Sequence, residues 1–116
     1  MRVGQDMNLD LEESGDVSIL VLGGQLAGGS SRSFREAMDM LIESGRTMVL
    51  LDFTDLTFMD SAGIGELVSS FRTINRLGGA LKILKPDKRI HDTLTLTKLL
   101  PIFEVFEDRD EAIASF

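Results

Sequence analysis

The segment of this chain best suited to chemistry is an Asp-Ser pair followed by two closely spaced glycines, Asp60-Ser61-Ala62-Gly63-Ile64-Gly65. It falls between a short apolar run and a long amphipathic stretch, so Ser61 stands at or beside the start of a helix. Asp60 or Ser61 can serve simply as the helix cap, a role worth about 1 kcal/mol. The glycines argue for more. Each costs a helix roughly 0.8–1.0 kcal/mol relative to alanine, and a missing Cβ lets another backbone or a partner come close. The chemistry open to an accessible Ser61 is phosphorylation. A phosphoserine brings a charge of about −1.5 to −2. The free N–H groups and the dipole of a helix start tolerate such a charge, so the fold should survive it. Asp60 and Glu66 lie close in sequence, however, so the local surface would turn strongly negative. A partner matched to a small neutral hydroxyl would then be repelled.

Other chemistries find little support. A serine hydrolase needs an elbow such as Gly-x-Ser-x-Gly together with a histidine and an acid. Here Met59 stands two residues before Ser61, and the one histidine, His91, falls on a different predicted helix. A receiver domain would use an aspartate such as Asp52 with a later lysine such as Lys85, but it also needs an acidic pair after its first strand to hold Mg²⁺. The segment there is Gly23-Gly24-Gln25-Leu26-Ala27-Gly28-Gly29, without an acid, and Asp52 reads as a capped or solvated strand end. The glycine pairs match neither nucleotide-binding spacing. With no cysteine and one histidine, disulfides, thiol catalysis and Cys-based or multi-histidine metal sites are excluded. The expectation is a non-enzyme with no metal and no cofactor.

Charge and hydropathy narrow the partners. The formal net charge is −7 and the 12 lysines and arginines are scattered, which disfavours direct nucleic-acid binding and suits a partner with a basic patch. No apolar run is long enough to span a bilayer. Residues 1–13 lack the charged and apolar pattern of a signal peptide, and a cytoplasmic location is expected.

The elements that must position Ser61 follow from periodicity. Residues 7–13 alternate and 17–22 are rich in β-branched types, with Ser14-Gly15-Asp16 as a turn, so an antiparallel hairpin is predicted. Gly23-Gly24 and Gly28-Gly29 bracket a loop. A helix should begin between Ser30 and Ser33, with Ser33 and Glu36 at capping-box spacing; Phe34, Ala37, Met38, Leu41 and Ile42 form its inner face, and Gly45 ends it. Residues 47–53 are nearly all apolar, as in a strand covered on both faces, and 54–60 read as a loop. The helix that follows spans about 62–77, with Ile64, Leu67, Val68, Phe71, Ile74 and Leu77 as its buried stripe. A strand at 80–84, a helix opened by Pro86-Asp87, a short strand at 103–106 and a final helix capped by Asp108 complete the order. The predicted core includes Leu20, Leu22, Phe34, Met38, Leu41, Val49, Leu51, Leu67, Phe71, Ile83 and Leu94. Residues 1–116 form one α/β domain: a mostly parallel central sheet with an antiparallel N-terminal strand and about four helices.

Residues 53–79, together with Gly24-Gln25-Leu26 and residues 99–113, resemble the STAS domain (sulphate transporter and anti-sigma factor antagonist) over nearly the whole chain. A chain of this length is most similar to the bacterial anti-sigma factor antagonists. That resemblance implies a phosphorylated serine at Ser61. It implies as partners an anti-sigma factor with serine kinase activity, bound when Ser61 is unmodified and released on phosphorylation, and a PP2C-type phosphatase that resets the switch. The partner-binding patch would comprise Ala27, Phe58, Met59, Asp60, Ser61, Ala62, Gly63 and Gly65, with Met59 and Phe58 at the interface. Ala62 replaces a frequent second serine. Ala27 replaces an aspartate that lies near the phosphoacceptor in the family and helps partner recognition, so the partner stays open. A constitutive scaffold, or a soluble subunit of a signalling complex or membrane transporter, is the alternative.

Overall fold

A computed structural model describes residues 7–116; the N-terminal part of the signal-peptide and domain readings, residues 1–6, lies outside the described residues. Among these, five strands form one sheet in the order β1-β2-β3-β4-β5. The strands are β1 (Met7–Ser14), β2 (Val17–Leu26), β3 (Met48–Met59), β4 (Ala80–Leu84) and β5 (Val105–Phe106). The helices are α1 (Gly29–Glu43), α2 (Ser61–Arg76), α3 (Lys88–Leu96) and α4 (Arg109–Ala114). The hairpin pair β1–β2 is antiparallel and the remaining pairs are parallel. The sheet is therefore the mixed one expected, although β5 covers only the last two residues of the predicted strand.

Strand order decides where the helices lie. From β2 to β5 the chain steps across the sheet in one direction, and right-handed crossovers then place α1, α2 and α3 on the same face. Side chains alternate along a strand, and neighbours in β2 and β3 accordingly enter different cores. Leu20, Leu22, Val49, Leu51 and Phe53 pack with Phe34 and Met38 of α1, Leu67 and Ile74 of α2, and Ile90 and Leu94 of α3. Ile19 and Leu50 point the other way, toward Ala112 and Ile113 of α4. The unbroken apolar run in β3 thus reflects burial on both faces. Every predicted core residue is buried except Phe71, which is half-buried and meets Phe103 edge-to-face with ring centroids 4.9 Å apart.

Lysine 82 fastens α4 to its face. It is buried, and its ammonium donates to the carbonyl and the hydroxyl of Ser115, both at 2.9 Å. The same group lies 3.3 Å from Glu104 and 4.6 Å from the centroid of the Phe116 ring. These partners compensate the desolvation of a buried cation. On the outer strand, Arg46 pairs with Glu13 and Arg109 with Glu12.

Several boundaries depart from the sequence reading. Strand β2 runs on through Gly23 and Gly24 to Leu26, and β3 continues through the predicted loop to Met59. The cause lies in the β2–β3 register, which shifts between Val21 and Gly23 and again between Gly24 and Gln25. Each shift lodges an extra residue in β3. Strict alternation after Phe53 would aim Asp55 and Thr57 at the core; with two bulges, Leu56 and Met59 take those places and are buried. Side chains secure the bulges: Asp52 Oδ1 accepts from the Thr54 N–H at 3.0 Å, and the Thr57 hydroxyl donates to Gly24 O at 3.0 Å. Asp52 is therefore a paired residue within β3, just ahead of the first bulge, and not a strand end. Helix α1 begins earlier than predicted, with Gly28 as N-cap and no side-chain cap bond. The Ser30 hydroxyl is occupied with the Gln25 and Ala27 carbonyls, at 2.7 Å each. Leu77, placed in the buried stripe of α2, is 56% exposed because the helix ends at Arg76. Asp108 caps α4 as expected, accepting from the Glu111 N–H, and Asp87, at the expected opening of α3, caps that helix by accepting from the Ile90 N–H.

Candidate functional site

The parallel strands β2 and β3 end side by side at Leu26 and Met59, and the helices that follow them start at the same edge of the sheet. Ser61 is the first residue of α2 and is exposed, as are Ala62 and Gly65. Asp60 is the N-cap. Its backbone is extended, with φ −99 and ψ −175, and its Oδ1 accepts from the Gly63 N–H at 2.9 Å. Of the two caps open to the sequence, Asp60 holds the position and leaves the Ser61 side chain on the surface.

The second carboxylate oxygen of Asp60 reaches across to the other helix. Oδ2 accepts from the Gly28 N–H at 3.0 Å, and the Asp60 N–H donates to Leu26 O at 3.3 Å. One residue thus ties the start of α2 to the turn that opens α1. The hydrogen bond from Gly63 is the strongest influence on this carboxyl and holds its pKa below the ordinary value of 3.8. Partial burial pushes the other way, and the Gly28 N–H adds to the lowering. Beyond the first turn, Arg35 of α1 and Glu66 of α2 form an ion pair at 3.6 Å. Half-exposed and long, it contributes about 0–1 kcal/mol.

The two glycines divide. A Cβ on Gly63 would lie 2.1 Å from Leu26 O and 2.9 Å from Leu26 Cγ. That glycine is buried, and the backbone approaching it belongs to this chain. A Cβ on Gly65 would meet nothing within 4 Å. The fold accounts for Gly63 and leaves Gly65 as a bare spot on the exposed side of the helix.

Of the remaining candidates, Phe58 is on β3 opposite Gln25 and is 39% exposed. Met59 is corrected: it is 4% exposed and packs inward among the core residues, so its side chain forms no part of the surface beside Ser61. Ala27 is half-buried in the turn between β2 and α1, its N–H donating to the Ser30 hydroxyl at 2.9 Å. The structure therefore gathers Asp60, Ser61, Ala62, Gly63 and Gly65 in one turn and brings Gly28 and Leu26 against it. The sequence marks a loop bracketed by Gly23-Gly24 and Gly28-Gly29 but does not reveal the role of Gly28. Its sign was a glycine just ahead of a helix, here at φ +53. His91 is exposed on α3. Among the described residues no cluster of acids and histidines could hold a metal ion, and no helix is long and apolar enough to cross a membrane.

An exposed hydroxyl at the first position of a helix can carry a phosphoryl group without strain, since helix starts stabilise anions. Comparison with known proteins places the fold and the family. Residues 8–112 match the pattern of the STAS domain family. The chain is 26% identical over 109 residues to an anti-sigma F factor antagonist of Paenibacillus polymyxa, with 93% of each chain covered. Among solved structures, a putative anti-sigma factor antagonist from Thermotoga maritima superposes with a TM-score of 0.87 at 23% identity, covering 92% of both chains. The anti-sigma factor antagonist SpoIIAA superposes in its unphosphorylated form with a TM-score of 0.80 at 24% identity, covering 91% of this chain and 93% of that one. In its phosphorylated form the TM-score is 0.76 at 24% identity, with 93% and 98% covered. At these identities the structures establish the fold.

Proposed function

This chain belongs to the STAS domain family, and from that premise we propose that it is an anti-sigma factor antagonist switched by phosphorylation of Ser61. The observation that carries the reading is the outer side of the first turn of α2. There an exposed hydroxyl, a small Ala62 and a glycine that the fold does not require lie together. Support also comes from relatives that bear the name anti-sigma factor antagonist, and from SpoIIAA, a protein of the same fold solved with and without its phosphate.

In this reading the unmodified chain docks on an anti-sigma factor through Ser61, Ala62 and Gly65, with Asp60 and Gly63 holding the turn and Phe58 and Ala27 at the margin. The anti-sigma factor is also the serine kinase and brings its own ATP. Transfer of the phosphoryl group to the Ser61 oxygen places roughly two negative charges on that surface. Like charge and added bulk then oppose docking, which releases the partner, and a PP2C-type phosphatase returns the chain to its binding form. The protein works in the cytoplasm, regulates transcription without touching nucleic acid, and performs no catalysis of its own.

The test is capture of the partner from native cell extract with wild type, Ser61→Asp and Ser61→Ala, together with mapping of phosphate on the wild-type chain. Ser61→Asp is expected to weaken binding by about a hundredfold or more, as befits a misplaced charge in an interface, with an unchanged circular dichroism spectrum. Ser61→Ala is expected to bind and to resist the kinase. A Ser61→Asp variant that binds like wild type would leave the constitutive scaffold as the better account.

A further inference from the structure

We propose that Asp60 relays the state of Ser61 to the start of α1, because its carboxylate occupies the anion site that an arriving phosphoryl group would claim. The inference rests on the reading that Ser61 is phosphorylated. Helix α1 has no side-chain cap of its own; the turn ahead of it is tied internally through the Ser30 hydroxyl and joined to α2 by the Gly28 N–H to Asp60 Oδ2 bond at 3.0 Å. The other oxygen of the same carboxylate is engaged at 2.9 Å with the Gly63 N–H, at the positive end of α2. The first turn of α2 is already filled by one anion from the residue next to Ser61.

A phosphoryl group on Ser61 supplies three further acceptor oxygens and up to two charges at the same helix end. Two anions on adjacent residues compete for one set of N–H donors and repel each other. The phosphate carries more charge and more acceptors, and its oxygen is attached at the helical position itself. Asp60 is the member that must yield. Its bond to Gly28 is the exposed, inter-helix one, whereas the contact of Gly63 with the Leu26 backbone is steric and stays. Phosphorylation therefore loosens the turn at Gly28 without dismantling α2. A docking partner meets two changes: a new charge at Ser61 and a turn at 27–29 no longer tethered through Gly28, although Leu26 stays bound to the Asp60 N–H. Asp60 acts here as a positioning residue and need not touch the partner.

The experiment uses the full chain with phosphoserine installed at position 61 during translation, and reads amide hydrogen exchange by NMR. Gly28 exchange is expected to rise on the order of tenfold, the effect of losing one charge-assisted hydrogen bond, while amides 66–74 of α2 keep their protection. Asp60→Ser supplies the reference: a short hydroxyl still caps α2 at Gly63 but does not bridge to Gly28, so it should raise Gly28 exchange alike with Ser61 unmodified. Unchanged Gly28 exchange in the phosphoserine protein overturns the relay. The switch itself is scored separately by partner capture: loss of capture with unchanged Gly28 exchange leaves the charge at Ser61 acting alone, and retained capture fails the switch whatever Gly28 reports.

Discussion

Helix α2 is pinned at both ends by a glycine pressed onto a neighbouring backbone. At its start, Gly63 leaves no room for a Cβ because Leu26 O would be 2.1 Å away; just beyond its end, Gly79 leaves none because Thr47 O would be 2.3 Å away. Leu26 closes β2 and Thr47 precedes β3, so the two contacts fix the helix over the sheet. The resemblance ends there. Around Gly79 the chain simply turns into β4, with the Ala80 N–H bonded to Thr47 O at 2.9 Å. Around Gly63 the outer side of the turn holds Ser61, Ala62 and the unneeded Gly65. A glycine that its own fold fills is scaffolding wherever it occurs, and Gly78 at the far end, though it faces open space, is required by its φ of +80; Gly65, which has open space and no positive φ, is what separates the two ends.

Substitution tests that contrast. The largest effects should come from Gly63→Ala and Gly79→Ala, which force a methyl into main-chain oxygen. Each should cost about 1–3 kcal/mol or more of unfolding free energy in denaturant titrations. If only one end responds, the symmetry drawn here is wrong. Next is Asp60→Ala, which removes the cap and the bridge to Gly28 and should cost about 1–2 kcal/mol. It also sharpens the electrostatic account. A carboxyl whose folded pKa lies below its ordinary 3.8 stabilises fully above that value and less as pH falls through the folded pKa. The wild type should therefore lose part of its advantage over Asp60→Ala below about pH 3.8, seen as converging denaturation midpoints. The smallest effect should be Gly65→Ala, and of opposite sign: a gain of up to roughly 0.8–1.0 kcal/mol in stability, with weaker partner capture. A loss of stability there would show that the fold does use Gly65.

Most of the fold was legible because most of it obeys simple periods. Helices with apolar residues three and four apart, and a hairpin with alternation of two, announce themselves. The segment 54–59 did not, because the two bulges convert a period of two into apolar residues at Phe53, Leu56 and Met59. Three-residue spacing between polar residues looks like a loop, and for the same reason Met59 looked available to a partner. The start of α1 was misplaced because serines are the commoner caps, whereas this helix relies on Gly28 and an aspartate 32 residues away. Leu77 fitted the stripe of α2 by spacing, but the helix stops one residue short. At the candidate site, local signals sufficed to put Asp60 and Ser61 at the start of α2. The split between Gly63 and Gly65 needs the position of Leu26, which no local pattern carries.

The outer strand has a consequence of its own. Among the described residues β1 is an edge strand eight residues long, enough to recruit a stray strand. Asp10, Glu12 and Glu13 line it with negative charge, and the arginines that hold Glu12 and Glu13 come from α4 and from the turn after α1. These ion pairs fix two of the acids along the edge strand, and an edge lined with charge resists pairing with a second strand.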